Sequence, residues 1–269
     1  MATVKDIYCA MDEWAPFETQ MDFDNAGFLV GRGEAKADKI LVALDITQEV
    51  VEEAAKLGCQ LIVSHHPVIF HPVKAVTDES VTGCTLLALT EEKIAAICCH
   101  TNLDAAQDGV NDCLAQALGL QEVTQLHPDG VDRAGRTYGI GRVGMCHQPG
   151  MSAADYAGRV KLLLGAAGVR YTDGAARCAG WRWAAAPAAP CWPMRGHGLR
   201  HLCHRHVKYD QFLEARALGV NLLDAVGQDG HLTTIELRPE FAKVAQANAT
   251  LYYGEQPQWW DLKTGDFDS

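Results

Sequence analysis

The sequence predicts an α/β fold with a mainly parallel sheet. Short apolar segments rich in β-branched residues alternate with amphipathic segments that have helical periodicity. Capping and turn residues stand between these segments, as expected where strands and helices follow one another. Because the alternation recurs in the second half, we expect two α/β lobes, one over residues 1–125 and one over residues 126–269.

In the first lobe, strands are predicted at 39–46, 61–64 and 94–99, and helices at 47–58, 84–93 and 110–120. The helix after the first of these strands has Thr47 as its N-cap and Gly58 as its stop signal. Strands joined in this way by crossover helices form parallel βαβ units. Ligand sites of such sheets lie beyond the carboxyl ends of the strands.

The second lobe is less regular but repeats the pattern. Strands are predicted at 137–146, 169–172 and 220–225, and helices at 151–165 and 209–219. The first of these strands, TYGIGRVGMC, contains glycines that should bend it. The helix at 151–165 has Ser152 as its cap and Asp155 three residues later, which predicts a capping box.

Composition excludes several classes of protein. The chain has 269 residues, 48% of them hydrophobic, and a formal net charge of −11, which argues against non-specific binding to nucleic acid or anionic membranes. No apolar run approaches the roughly 18 residues of a membrane span. The first residues include Asp and Glu where a signal peptide would be apolar, so we expect a cytoplasmic protein.

Candidate metal ligands follow two neighbouring strands. His65 and His66 come directly after LIVS, and His100 comes after IAAICC with Asp104 four residues further on. A lone histidine at a strand end is usually a hydrogen-bonded structural residue. Here four candidate ligands should meet at one sheet edge, which favours a metal site. Adjacent residues of a strand point in different directions, so His65 and His66 could each serve a different metal ion.

Residues 175–206 are unlike the rest of the chain. This interval is rich in Arg, His, Trp and Ala and contains no Asp, Glu, Lys, Val, Ile, Ser or Thr. It shows neither a strand pattern nor an amphipathic helix pattern. Its histidines and cysteines suggest a zinc site, but the familiar paired spacings of zinc ligands are missing.

The genetic code offers a better explanation of this interval. Reading the codons of GWRWA (180–184) from their third bases gives a sequence such as Val-Ala-Val-Gly, which is typical of a strand and a glycine turn. We therefore interpret residues 175–206 as out-of-frame sequence that returns to frame near Val207. The histidines of the interval are excluded from the candidate site for this reason. The interval should lack a regular central strand.

Five motifs, taken in order, resemble the Nif-three-like dinuclear-metal proteins, also known as GTP cyclohydrolase I type 2 homologues. They are DFDNAGFLVG (22–31), LIVSHHPVIF (61–70), HTNLDAAQDGVND (100–112), GIGRVG (139–144) and VKYDQFLEARALGVNLLDA (207–225). The resemblance runs from about residue 5 to residue 174 and resumes over 207–225. The length resembles the short form of the family, which lacks an inserted middle domain.

The resemblance implies two facing α/β lobes around a cleft that holds two divalent metal ions, and a homohexameric ring. By that resemblance His65 and His66 would each bind one ion and Asp104 would be a third ligand. From its place after a strand we expect Asp104 to be exposed to the cleft, and His100 could orient a ligand or act as a general acid–base. Asp24 and Asn25 would lie near the cleft. Gly27 and Gly31 would serve tight backbone turns.

The family completes its site with a histidine and a glutamate four residues later, in a pattern like DAGHxxTE. This chain has DAVGQDGHLTTIE instead, so His231 and Glu236 are the nearest equivalents and stand five residues apart. Because the spacing differs by one residue, the carboxylate would be aimed differently. The alternative is that both residues belong to a surface loop.

The leading hypothesis is therefore a metal-dependent hydrolase acting on GTP or a related nucleotide through a metal-activated water. The metals are zinc, iron, manganese or cobalt, since all accept histidine and carboxylate ligands. Neither a P-loop nor a dinucleotide-binding glycine motif is present, so the nucleotide comes from the resemblance alone. One rival is a non-catalytic metal-binding regulator or scaffold, and another is a damaged family member.

Overall fold

The computed structural model describes residues 2–145, 151–174, 201–204, 207–226, 232–236 and 260–264. For 201–204, 226, 232–236 and 260–264 it describes the backbone alone. Contacts divide the chain into two compact units, the first within Met1–His147 and the second within Gln148–Ala179 and Cys191–Ser269. Residues 126–145, which the sequence pattern assigned to the second lobe, belong to the first unit.

The first unit is built on a four-stranded sheet with helices on both faces. Its elements begin with α1 (Val4–Trp14), β1 (Gly27–Val30), β2 (Ile40–Ala43), α2 (Gln48–Leu57), β3 (Leu61–Ser64), α3 (Val81–Glu91), β4 (Ala95–Cys98), α4 (Thr101–Ala105) and α5 (Val110–Ala117). The strand order is β1-β4-β3-β2. Strands β2, β3 and β4 are parallel, as predicted, and β1 is antiparallel to β4.

Local sequence signals set the ends of the helices. The Thr47 hydroxyl accepts a hydrogen bond from the Val50 amide at the start of α2, and Gly58 ends that helix in the left-handed conformation with φ of 69°. Both predictions are confirmed. Helix α3 begins three residues earlier than predicted, because Ser80 acts as its cap by accepting from the Gly83 amide.

Strand β1 was not predicted as an element, although its sequence carries two glycines with a structural role. Gly27 has φ of 138° and Gly31 has φ of 113°, conformations that side chains disfavour. A Cβ atom on Gly31 would lie 2.7 Å from the Cβ of Ala95 in β4. Gly31 therefore lets the end of β1 approach β4 closely, which agrees with the expected backbone role of these glycines.

The first unit ends with β5 (Gln121–Gln125), β6 (Gly130–Val131), β7 (Thr137–Tyr138) and β8 (Arg142–Met145). The single bent strand predicted at 137–146 is two strands, because Gly141 turns the chain with φ of 81°. Strand β7 pairs with β6, and β8 pairs with β5. The buried Arg142 donates to both carboxylate oxygens of Asp112, at 2.6 and 2.8 Å, which ties β8 to α5 within this unit.

The second unit contains α6 (Ala153–Leu164), β9 (Gly168–Thr172), β10 (His201–His204), α7 (Tyr209–Ala217), β11 (Asn221–Val226), β12 (Leu232–Glu236) and β13 (Trp260–Thr264). Strands β10, β11 and β9 form a mixed sheet in that order, with β10 parallel and β9 antiparallel to β11. Strands β12 and β13 form a parallel pair. The cap of α6 is as predicted, since the Ser152 hydroxyl accepts from the Asp155 amide.

Strand β10 falls inside the interval 175–206, where the sequence pattern indicated no strand. It lies at the edge of the described sheet, and its pairing with β11 is made by backbone groups, which any side-chain sequence can supply. The remainder of the interval lies outside the described residues. The out-of-frame interpretation stays a prediction.

The core of the first unit lies on both faces of its sheet. One cluster, which includes Val51, Ile62 and Leu89, packs α2 and α3 against one face. A second, which includes Val4, Leu61 and Ile97, packs α1 against the other. Both faces being covered is the usual state of a parallel sheet. Within the part of the chain that is described, no helix combines the length and the apolar character needed to cross a membrane.

Candidate metal centre

The carboxyl ends of β3 and β4 bring three histidines together. His65 and His66 follow the last residue of β3, and His100 follows β4 as the residue before α4. Their ring centroids lie 4.9 Å (His65–His66), 5.2 Å (His65–His100) and 5.6 Å (His66–His100) apart. Successive side chains of a strand point to opposite faces of the sheet, but β3 ends at Ser64. His65 and His66 lie beyond that end, so their rings can lie on the same side.

The Nδ1 atom of each of these rings has an oxygen partner. The distances are 2.9 Å from His65 to the Cys99 carbonyl, 2.7 Å from His66 to Asp45, and 2.7 Å from His100 to Asp24. A carbonyl or an ionised carboxylate only accepts, so each Nδ1 carries a proton and donates it. In the neutral ring this leaves the Nε2 lone pair free to bind a metal.

The three histidines are close enough to share a metal ion. One ring nitrogen from each of them lies within 4.8 Å of the others. Imidazole rings oriented by oxygen acceptors are the arrangement that protein metal sites commonly use. The cluster of His65, His66 and His100 could therefore hold a metal.

Asp24 is anchored so that it can orient His100. One of its oxygens accepts from the Thr101 amide at 3.0 Å and from the Thr101 hydroxyl, and the other accepts from the Asn25 amide at 2.8 Å as well as from His100. Burial alone would raise the pKa of Asp24, but these hydrogen bonds outweigh it and lower the pKa to about 2. Asp24 is thus a fixed negative charge behind the His100 ring.

The two partly buried histidines, His65 and His100, have opposite pKa shifts. Burial lowers the pKa of His65 below its usual value, so its ring is neutral and able to bind a metal. Burial would also lower the pKa of His100, but the hydrogen bond and charge of Asp24 outweigh it and raise that pKa. His100 therefore holds a proton more readily than His65 does.

Asp104 lies beside the histidine cluster, with Oδ1 at 3.9 Å from Nε2 of His65. The expectation that this carboxylate is exposed to a cleft is wrong, because Asp104 is within α4 and only 3% exposed. Burial raises its pKa to about 6. Its Oδ2 atom is buried without a hydrogen-bond partner among the described residues, which is costly for a carboxylate. A cation bound here would compensate that oxygen, so the donor set fits a divalent metal.

Two buried side chains hold the backbone of the histidine pair. The Cys98 thiol donates to the His65 carbonyl at 3.0 Å, and the Ser64 hydroxyl donates to the His66 carbonyl at 2.8 Å. Ser64 and Cys98 are paired neighbours on β3 and β4. Burial raises the pKa of Cys98, so the thiol keeps the proton that it donates. The strand end that carries His65 and His66 is therefore held in one conformation.

The side chains of the two other predicted ligands, His231 and Glu236, lie outside the described part of the structure. His231 lies outside the described residues, and the description of Glu236 is limited to its backbone at the end of β12. The sequence reasoning missed Asp45, the acceptor for His66. A signal for it was present, since Asp45 follows β2 just as the histidines follow β3 and β4. The acceptor for His65 had no such signal, because it is a backbone carbonyl.

Fold and site together define a mixed α/β protein with a histidine cluster that could bind a metal. The model of the family Duf34/NIF3 (NGG1p interacting factor 3) matches residues 2–179, and the chain belongs to that family. The match includes His65, His66, His100 and Asp104. It ends inside the interval 175–206.

Named relatives are similar over part of their length. A Clostridium acetobutylicum protein named "GTP cyclohydrolase 1 type 2 homolog" is 34% identical over 168 residues, which cover 62% of this chain and 62% of that protein. This chain thus matches less than two thirds of that relative. The relative's name does not by itself assign an activity to this chain.

Two solved structures of similar fold align with nearly the full length of this chain. A Bacillus cereus protein related to NIF3 superposes with a TM-score of 0.76 at 20% identity, covering 100% of this chain and 98% of the other. A Staphylococcus aureus hypothetical protein gives a TM-score of 0.75 at 23% identity, covering 99% and 97%. At these identities the likeness concerns the fold.

Proposed function

We propose that the protein is a metal-dependent hydrolase with a dinuclear centre in which His65, His66 and Asp104 are ligands. The observation that carries the proposal is the orientation of the histidine rings. Each Nδ1 donates to an oxygen outside the cluster. The remaining ring nitrogens are available to a cation beside Oδ2 of Asp104, which has no hydrogen-bond partner among the described residues. A structural histidine cluster has no need of a buried, partnerless carboxylate oxygen.

His100 is the proposed catalytic residue. Its Nδ1 proton is held by Asp24, which fixes the ring and stabilises the protonated form. Its Nε2 can then take a proton from water or give one to a leaving group at the centre. The metals, when bound, supply charge stabilisation and lower the pKa of water. The bound cofactors would be two divalent ions of zinc, iron, manganese or cobalt.

Further parts of the proposal come from family membership. His231 and Glu236 are proposed as the remaining ligands, and the chain is proposed to assemble as a homohexamer in the cytoplasm. GTP or a related nucleotide is the proposed substrate, in line with the printed name of the relatives. A homohexamer predicts a mass near six chains in size-exclusion chromatography with light scattering.

Metal content of substituted proteins tests the centre. The protein should take up two divalent ions per chain, and replacing both His65 and His66 with Ala should abolish most of that uptake. His127→Ala is the matched control, because His127 also donates from Nδ1 to a carboxylate, that of Asp129 at 2.7 Å, but is exposed and outside the cluster. Unchanged metal content in the double variant would contradict the proposal.

Turnover separates the enzyme from a non-catalytic regulator. Hydrolysis of GTP by the metal-loaded protein should fall by about 100-fold or more in His100→Ala, since a general acid–base contributes about 10²–10⁴-fold. That variant should fold normally. Full metal content without turnover of any nucleotide or phosphoester would favour a metal-binding regulator or scaffold instead.

A further inference from the structure

Phe70 places an exposed aromatic ring beside the histidine cluster. Its ring centroid lies 6.3 Å from that of His100, with 85° between the planes. The residue is 41% exposed. Most exposed apolar side chains need no explanation, since they are common on protein surfaces. Phe70 differs because the same side chain that contacts the candidate centre remains open to a ligand.

Two contacts hold Phe70 in place. The Asn25 amide nitrogen Nδ2 donates to the carbonyl of Ile69, the preceding residue, at 2.6 Å. The ring of His71 packs edge-on against Phe70, with centroids 4.9 Å apart. The backbone before Phe70 is therefore anchored and the ring is packed on one side, so less side-chain freedom is lost on binding than for an unsupported residue.

Other exposed apolar side chains stand near Phe70 along the chain. Val73 is 38% exposed and Val76 is 50% exposed in the same loop, and Phe23, two residues before Asn25, is 62% exposed. The segments of Phe23 and Phe70 meet through the Asn25–Ile69 hydrogen bond. The Phe70 ring thus offers an exposed apolar face beside the polar cluster. A ligand matched to both would have an anionic group at one end and a planar apolar group at the other.

We propose that Phe70 is a specificity-determining residue that packs against an aromatic ring of the ligand while the ligand's oxyanion is held at the histidine cluster. The inference rests on the proposed function, because the oxyanion needs a bound metal. Phenylalanine has no hydrogen-bonding group, so it favours any planar ring and does not distinguish one ring from another. Phe70 therefore selects the chemical class of the ligand, an aromatic or heteroaromatic phosphate.

Binding of phenyl phosphate and of inorganic phosphate to the zinc-loaded full chain tests this by calorimetry. The wild type should bind phenyl phosphate about fivefold to tenfold more tightly than inorganic phosphate, as expected for an aromatic pair. Phe70→Ala should bring the two affinities within about twofold of each other, and Phe70→Tyr should keep the preference. Leu57→Ala is the matched control, since Leu57 is 46% exposed and lies at the end of α2, away from the strand ends that carry the histidines.

The possible results separate this inference from the metal centre. Zinc content of Phe70→Ala should equal that of the wild type, which also shows that the variant folds. A preference that survives in Phe70→Ala, or a zinc-loaded wild type that binds neither probe or both equally, overturns the role of Phe70 and leaves the metal centre standing. A change of oligomeric mass in Phe70→Ala without any ligand preference in the wild type would assign Phe70 to a contact between subunits. Lack of zinc binding by the wild type would contradict the proposed function itself.

Discussion

Nε2 of His65 lies 3.9 Å from Oδ1 of Asp104, and both side chains are largely buried. The neutral ring and the carboxylate therefore share a site with little access to water, where an unpaired charge loses much of its solvation free energy. A divalent cation between them would be bound by both. In its absence Asp104 destabilises the protein whenever it is ionised, because burial raises its pKa to about 6.

Asp104→Asn should have opposite effects on metal binding and on stability. Zinc affinity should fall by at least about 100-fold, since losing even an outer partner of a ligand costs about 10–100-fold. The metal-free variant should be more stable than the wild type at pH 7, by on the order of 1–3 kcal/mol. The raised pKa of Asp104 means that its ionisation costs stability increasingly from about pH 4, and that this cost is complete above about pH 6. Zinc titration and thermal unfolding measure the two effects.

Asp129→Asn is the control for that experiment. Asp129 also pairs with a histidine, but its side chain is 37% exposed. It should alter neither zinc affinity nor metal-free stability by a comparable amount. Equal loss of stability in Asp104→Asn and Asp129→Asn would argue that Asp104 is a structural residue.

Asp45 and Asp24, which accept hydrogen bonds from His66 and His100, should differ in their effects when substituted. Asp24 is fully buried as a side chain, whereas the side chain of Asp45 is 53% exposed. Asp45 orients His66, a proposed ligand, but exposed ion pairs contribute little, so Asp45→Asn should lower zinc affinity by only a few-fold. Asp24 orients His100, the proposed catalytic residue, so Asp24→Asn should leave zinc affinity within about twofold and lower turnover by about 10-fold or more. Competition with a chelator of known affinity and the rate of GTP hydrolysis measure the two effects. A large loss of zinc affinity in Asp24→Asn with unchanged turnover per bound metal would make His100 a metal ligand instead.

Acid stability should report on Asp24. Its pKa is lowered from 3.8 to about 2, so its contribution is complete above about pH 4 and is lost as the pH falls toward 2. Unfolding of the wild type followed between pH 5 and pH 2 should therefore show a loss of about 1–2 kcal/mol, allowing for screening, that Asp24→Asn does not show. Parallel curves for the two proteins would contradict this assignment.

Gly31→Ala should destabilise the first unit. The new Cβ would lie 2.7 Å from the Cβ of Ala95, at a φ of 113° that alanine disfavours. Gly58→Ala is the control, because Gly58 also has a positive φ but has no atom within 4 Å of a new Cβ. We expect about 1 kcal/mol of destabilisation for Gly58→Ala and at least about 2 kcal/mol for Gly31→Ala, measured by urea unfolding. Equal losses would mean that the contact with β4 is accommodated.

The parallel part of the sheet could be predicted because its signals are local. Thr47, Gly58 and the β-branched segments define β2, α2 and β3, and the histidines then fall at strand ends. Strand β1 was missed because its antiparallel place beside β4 is a long-range pairing that leaves no local pattern. The burial of Asp104 was missed because it depends on α4, a single turn that periodicity cannot reveal.

The out-of-frame interpretation of residues 175–206 predicts a change in the DNA. A one- or two-base insertion or deletion should lie near codon 176, with a compensating one shortly before codon 207. The family match ends at residue 179, inside this interval. Sequencing of the locus decides the matter. An intact reading frame across this interval, confirmed by peptide mass spectrometry of residues 175–206, would show that the segment is genuine.

The proposed function depends above all on His65 and His66 binding metal through Nε2 while each Nδ1 keeps its oxygen partner. Anomalous diffraction at the zinc edge from crystals of the zinc-loaded protein tests it directly. Anomalous density is expected about 2.0–2.1 Å from Nε2 of His65, with Asp104 also coordinated. Metal bound through Nδ1, metal elsewhere on the chain, or no anomalous density at the cluster in fully zinc-loaded protein would contradict it.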